Sequence, residues 1–267
     1  MPEIKTNITS RLHYKKMGSG PVLVLLHGFP ESHRIWRKVW PQLSQHYTLI
    51  MPDFPGSGGS LLESATSIEQ MADCVHAILQ HECIEQAVIA GHSMGGYTAF
   101  AFAAKYPELT RGLSVVHSSP AADDDEKKQT RLRSIELIRK GGKGAFIRQM
   151  VPNLFPDSFK ASAPELIEAQ IQSALETDER ALINYYEAMI GRKDQRNWLE
   201  NTSIPIQWIL GKQDNLISYK KILVFCFKSG VNFVSLYEEC GHMGMLEFPS
   251  ELAADIGSFA AYCNGYS

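Results

Sequence analysis

Hydrophobic residues along this chain fall into short continuous blocks separated by stretches of helical spacing. Val22-Leu23-Val24-Leu25-Leu26 is the first such block, and a strand buried on both faces requires a run of this kind. Tyr47-Thr48-Leu49-Ile50-Met51, ended by Pro52, is the second, and Gln86-Ala87-Val88-Ile89-Ala90 the third. Gly112-Leu113-Ser114-Val115-Val116-His117, Ile206-Gln207-Trp208-Ile209-Leu210 and Asn232 to Tyr237 complete the set. Before them, Arg11 to Lys16 alternates weakly, as an edge strand does. Between the blocks the period changes to that of a helix. Ile35, Trp36, Val39, Trp40 and Leu43 share one helical face. Ser67 and Gln70 form a capping-box pattern opening a helix to about Gln80. Tyr97 to Ala104 is Ala-rich and helical, Tyr219 to Lys228 is a further helix, and the last starts at Pro249. Strand-helix alternation of this kind predicts an α/β fold, a mostly parallel sheet with helices on both faces.

The alternation is interrupted once. From Ser118 to Thr202 there is no strand signal, and a structureless loop of that length would contradict the assignment. The interval instead carries helical patterns. Ser162-Ala163-Pro164-Glu165 reads as a capping box, followed by Leu166, Ile167, Ile171, Ala174 and Leu175 on one face. Leu182, Tyr185, Tyr186, Met189 and Ile190 form an amphipathic stripe. The expected organisation is a core of residues 1–117 and 203–267 with a helical cap, residues 118–202, inserted into it.

Composition narrows the class. The 267 residues are 44% hydrophobic, enough for one large domain with a buried core. The formal net charge is −3, and Lys and Arg are scattered, so nucleic acid is not an expected partner. Asp123-Asp124-Asp125-Glu126 before Lys127-Lys128 reads as a solvent-facing helix start. The five cysteines show no C-x-x-C pair and no metal-ligand spacing, so reduced thiols and no metal site are expected. The N-terminus lacks a long apolar segment and no run is apolar enough to span a bilayer. A soluble cytoplasmic protein is the expectation; oligomeric state is left open.

The chemistry concentrates where a block ends. Gly91-His92-Ser93-Met94-Gly95 joins the third strand to the Ala-rich helix, and this is Gly-x-Ser-x-Gly in the strand-turn-helix context of a nucleophile elbow. So tight a turn puts Ser93 in a strained backbone and needs small neighbours, which Gly91 and Gly95 supply. A serine hydroxyl is a weak nucleophile at neutral pH and needs a base, itself oriented by an acid. Asp214 follows strand Ile206 to Leu210, and His242 follows strand Asn232 to Tyr237. Both loops lie at the carboxyl edge of a parallel sheet, where such sheets place their sites.

The order Ser93, Asp214, His242 resembles that of the α/β-hydrolase family, and the resemblance covers nearly the whole chain. It includes His27-Gly28-Phe29-Pro30, Asp53-Phe54-Pro55-Gly56-Ser57-Gly58-Gly59-Ser60, the elbow, Gly211-Lys212-Gln213-Asp214, and Gly241-His242 with Glu247-Phe248-Pro249. It implies a catalytic Ser93-Asp214-His242 triad and an oxyanion hole from the backbone N–H groups of Phe29 and Met94. His27 and His92 are expected to hold loops, and Asp53 to accept structural hydrogen bonds. Phe146, Met150, Phe155, Tyr185, Tyr186 and Met189 are the candidate pocket walls.

Leu26 to Ser32 also resembles the opening of epoxide hydrolases. Those enzymes carry an Asp at the elbow, so Ser93 favours acyl transfer to water. The expected activity is a carboxylesterase on a small-molecule ester, needing no cofactor. A cofactor-free perhydrolase, a C–C hydrolase and a slowly turning small-molecule receptor on the same fold are the alternatives.

Overall fold

The computed structural model describes residues 2–265. Eight strands form one sheet among them: β1 Glu3–Ile4, β2 Leu12–Met17, β3 Val22–Leu26, β4 Thr48–Pro52, β5 Ala87–His92, β6 Thr110–Val116, β7 Ile206–Gly211 and β8 Asn232–Tyr237. Their spatial order is β1-β2-β4-β3-β5-β6-β7-β8. The pairs β1–β2 and β2–β4 are antiparallel, and every other pair is parallel. β2 is therefore an inner strand of the sheet, with the short β1 outside it, and not the edge expected from its pattern. The aliphatic blocks become central strands because both faces are covered: β5 and β7 are buried at every residue. β8 pairs only with β7 and stays half-exposed.

The core helices are α1 Trp40–Leu43, α2 Ile68–His81 and α3 Met94–Lys105. The expected helix through Ile35 and Leu43 is broken into a 3₁₀ turn, His33–Lys38, and the short α1. Pro41 lies at the start of α1, where its missing N–H is harmless; inside a continuous helix it would remove a backbone bond. The Ser67 capping box forms in full at the start of α2. α3 is buried nearly all round, packed between the sheet and α2.

Between β6 and β7 lie six helices: α4 Asp125–Leu137, α5 Lys143–Met150, α6 Asp157–Ser162, α7 Pro164–Leu175, α8 Glu179–Gly191 and α9 Arg196–Asn201. The Ser162 capping box does not form. Ser162 ends α6 and its Oγ donates to the Phe159 carbonyl at 3.2 Å, so α7 starts at Pro164 without a side-chain cap. Helix α8 seats this insert on the loop that follows β4. Tyr185 donates its hydroxyl to the carbonyls of Pro55 (2.9 Å) and Phe54 (3.3 Å). Asn184 accepts from the Thr66 N–H at 2.7 Å, and Arg180 donates to the Leu62 carbonyl at 3.0 Å. After β7 come α10 Tyr219–Leu223, α11 Gly244–Glu247 and α12 Pro249–Cys263. α10 is shorter than the helix expected to Lys228, the chain continuing in turns. No helix among the described residues is long and apolar enough to cross a membrane.

Strand order reverses beside β3, with β4 on one side and β5 on the other. Loops leaving the carboxyl ends of β3 and β5 diverge at such a point and leave a crevice between them. Gly28-Phe29 and Ser93 leave the sheet there.

Candidate active site

Ser93 has φ +52° and ψ −114°, one of three non-glycine residues with positive φ among those described. A Cβ at Gly91 would meet the Gly95 carbonyl, and one at Gly95 would lie 2.6 Å from the His27 carbonyl oxygen. The missing side chains let β5, α3 and the loop after β3 close on one another, and the strained turn holds Ser93 up from the sheet. Ser118 braces it from behind, donating to the Ser93 carbonyl at 2.7 Å.

His242 Nε2 lies 3.0 Å from Ser93 Oγ, and its Nδ1 lies 2.7 Å from Asp214 Oδ2. Asp214 is oriented by its other oxygen, which accepts the N–H groups of Leu216 (2.8 Å) and Ile217 (2.9 Å). Burial opposes ionisation of Asp214. His242, His117 and their hydrogen bonds outweigh it and hold the carboxyl well below the ordinary range. His242 is anchored through its own N–H, which donates to the Leu154 carbonyl at 2.8 Å. A serine, an imidazole and a carboxylate in this line can move a proton off the hydroxyl and stabilise the imidazolium that results.

Ser93 and His242 open on a cavity of about 540 Å³. Phe29, Met150, Tyr186 and Met189 also line it. Phe29 stacks on Tyr186 with ring centroids 4.5 Å apart. Met94 is the first residue of α3, where N–H groups have no intrahelical acceptor. Three candidate wall residues lie elsewhere. Tyr185 is fully buried and turned towards the Phe54-Pro55 backbone. Phe155 stacks on Phe159 at 5.3 Å, and Phe146 packs behind Phe29 and Tyr186 at 6.4 and 5.8 Å.

A family model for the α/β-hydrolase fold matches residues 21–149. An esterase from Thermogutta terrifontis, solved with malate bound, superposes with a TM-score of 0.92 at 26% identity, covering 98% of each chain. The chain has the α/β-hydrolase fold, and both findings support that family. Among curated relatives, the pimeloyl-[acyl-carrier protein] methyl ester esterase of Pseudoalteromonas atlantica is 28% identical to this hydrolase over 225 residues, 78% of this chain and 82% of that one. A soluble epoxide hydrolase of Corynebacterium is 38% identical over a shorter stretch, 41% of this chain and 39% of that one.

Polar groups surround Ser93 and His242, and His92 holds loops among them as expected. His92 sets one ring nitrogen 3.1 Å from Glu31 Oε2 and the other 2.9 Å from the His242 carbonyl. Glu31 also accepts the Gly28 N–H at 2.7 Å, so one carboxylate ties the Phe29 loop to the His242 loop. Glu247 accepts the N–H groups of Gly241 and Met243, each at 2.8 Å, and clamps both sides of His242. Burial nonetheless pushes the Glu247 carboxyl up to about 7. His117 is fully buried, its Nδ1 3.6 Å from Asp214, and burial pushes it down to about 4. Chain position gave no signal for His117, because only the fold brings the end of β6 beside the loop after β7.

Asp123 is a correction. Instead of facing solvent it is 5% exposed, with Oδ2 2.6 Å from Arg131 Nε and Oδ1 3.0 Å from Arg192 Nη1. Arg192 comes from beyond α8, so the pairing joins two ends of the insert. The four-residue spacing of Asp123, Lys127 and Arg131 was the available signal.

His27 and Asp53 act on the loops. His27 accepts from the Phe54 N–H at 3.1 Å, and Asp53 accepts from His33 and Gly59 N–H groups at 2.8 and 2.9 Å. His13, His33 and Asp53 are the described trio whose ligand atoms gather within 4.8 Å, as a metal ion needs. Each histidine there lies at hydrogen-bond distance from Asp53, 2.6 and 2.9 Å, and none lines the Ser93 cavity. Among the described residues all five cysteines are free. Cys240 is buried 4.0 Å from His117, its thiol pushed far above the ordinary range by burial.

Proposed function

We propose that the protein is a serine carboxylesterase that cleaves small or medium esters through an acyl-enzyme. The observation that carries this is the unbroken line from Asp214 through His242 to Ser93, 2.7 and 3.0 Å, opening on the cavity. Ser93 Oγ attacks the ester carbonyl while His242 Nε2 accepts its proton. The tetrahedral oxyanion is held by the backbone N–H groups of Phe29 and Met94, with the positive end of α3 behind it. His242 returns its proton to the leaving alkoxide as the C–O bond breaks. Water, deprotonated by His242, then releases the acid and frees Ser93. Asp214 keeps the His242 tautomer that leaves Nε2 open to the serine proton. The mechanism calls on no metal or organic cofactor.

Residues 118–202 act as a cap that selects the substrate, through Met150, Tyr186 and Met189 at the cavity wall. The esterase names among the relatives support this chemistry. The elbow carboxylate that epoxide hydrolysis needs is replaced here by the Ser93 hydroxyl. The test is covalent labelling by a fluorophosphonate together with p-nitrophenyl ester hydrolysis. Label is expected on Ser93 alone, and Ser93→Ala should lower kcat by roughly 10⁴-fold or more. Undiminished turnover in a purified Ser93→Ala protein would sink the proposal.

A further inference from the structure

The cavity that holds Ser93 is lined by apolar side chains and by charged ones, cations the more numerous. Tyr97, Asp123, Lys127, Arg131 and Arg192 line it together with the aromatic and methionine walls. Three cations surround one buried carboxylate. Arg192 has its nitrogens engaged: Nη1 donates to the Met189 carbonyl and Nη2 to that of Ala121, both at 2.8 Å, and its guanidinium covers the Tyr97 ring at 3.9 Å. Arg131 differs. Its Nε donates to Asp123, its guanidinium lies 5.3 Å from the Tyr186 ring, and no protein group among the described residues accepts from its terminal nitrogens. Its side chain is only 12% exposed.

A guanidinium so enclosed, with its outer fork turned to a cavity, is poised for a planar anion. Tyr97 registers the local field. Burial pushes its phenol up, yet Lys127, Arg192 and Arg131 outweigh that and bring it below the ordinary value. Asp124 and Glu126 also border the cavity, but at its exposed rim, where water screens them.

We propose that the outer nitrogens of Arg131, backed by Arg192 and Lys127, receive a carboxylate of the substrate, so that the preferred substrates are monoesters of dicarboxylic acids. This rests on the esterase reading for the ester end of the molecule and on these cations for the other.

The experiment separates the two. Binding is measured by calorimetry on Ser93→Ala protein with monomethyl esters of succinic to suberic acid, each against the uncharged methyl alkanoate of equal length. At the best length the charged ester should bind roughly 10- to 100-fold more tightly, as a charge-assisted pair would give. The advantage should shrink in high salt, disappear with Arg131→Gln and survive in part with Arg131→Lys. If Arg131→Gln, which leaves Asp123 only Arg192 and Lys127, fails to fold, Asp123→Asn/Arg131→Gln removes both charges together. Equal affinity for charged and neutral esters at every length would overturn the proposal, as would a preference that persists without Arg131; Arg131 would then only tie α4 to the end of α8. Hydrolysis of the same esters by the unmodified protein judges the esterase reading independently. Tight, Arg131-dependent binding without turnover would refute the chemistry and leave the carboxylate site standing.

Discussion

Adding one methyl group at Gly91 should disable the elbow, and adding the same group at Gly144 should not. At Gly91 a Cβ would lie 2.5 Å from the Gly95 carbonyl carbon and 2.7 Å from the Gly96 nitrogen. The Gly95 carbonyl oxygen would be closer still; ordinary contact begins near 3.4 Å, so β5 and the first turn of α3 must part by roughly 1 Å. Both neighbours are backbone, with no flexible side chain to swing aside. Ser93 lies between them. Moving it that far would stretch the 3.0 Å Ser93–His242 contact beyond hydrogen-bond range. Overpacking of this kind destabilises by about 1–3 kcal/mol, and a misplacement near 1 Å lowers reaction rates about 10²-fold. At Gly144, in α5, nothing lies within 4 Å, and a helical Gly→Ala change should stabilise by about 0.5–1 kcal/mol. The assay is the second-order rate of fluorophosphonate labelling, with urea denaturation for stability. A Gly91→Ala protein that labels at the wild-type rate would refute the steric argument. So would a Gly144→Ala protein that loses as much as Gly91→Ala.

Asp214→Asn should keep its circular dichroism and lose 10³- to 10⁴-fold in kcat on p-nitrophenyl butyrate, in the range such changes give elsewhere; a loss under threefold would remove Asp214 from its proposed role. His117, pushed down to about 4 from 6.5, stays neutral in the fold while the unfolded chain takes up a proton near 6.5, so it weakens the fold as pH falls from about 6.5 to 4. That difference is worth about 3 kcal/mol; His117→Gln should flatten the urea stability–pH curve by about that amount between pH 6.5 and 4, and parallel curves would disprove it. Met150→Ala, Tyr186→Ala and Met189→Ala should each move the acyl-length optimum across C2 to C10 esters by tens-fold in relative kcat/KM. Tyr185→Phe, which strips the Phe54 and Pro55 carbonyls of a buried donor, should instead cost about 1–2 kcal/mol in stability with the length profile unmoved.

The strands were legible because central parallel strands are uniformly apolar, and the Ser93 turn because its geometry tolerates so few residues. Asp214 and His242 could be placed from the strands that precede them. Helical periodicity reports that a face is covered and is silent on what covers it. Tyr185 and Tyr186 adjoin on α8 in one stripe, yet one meets the core loop and the other the cavity. Asp123 looked exposed because it opens an acidic run, and one of the two arginines that bury it comes from beyond α8. Ser162 carried a capping pattern that a preceding helix, α6, absorbed. Glu31, His92 and Glu247 belonged to motifs that could be read, but their joint hold on His242 is a contact across distant segments.

Tyr185, Asn184 and Arg180 fasten the insert to residues 54–66, a stretch outside the insert's own bounds. The unit that can be exchanged between related proteins is therefore not a single stretch of chain. A chimera that imports a foreign 118–202 and keeps the native 54–66 leaves the Pro55 and Leu62 carbonyls and the Thr66 amide facing side chains that never evolved with them. Carrying both stretches across together moves lock and latch as one piece.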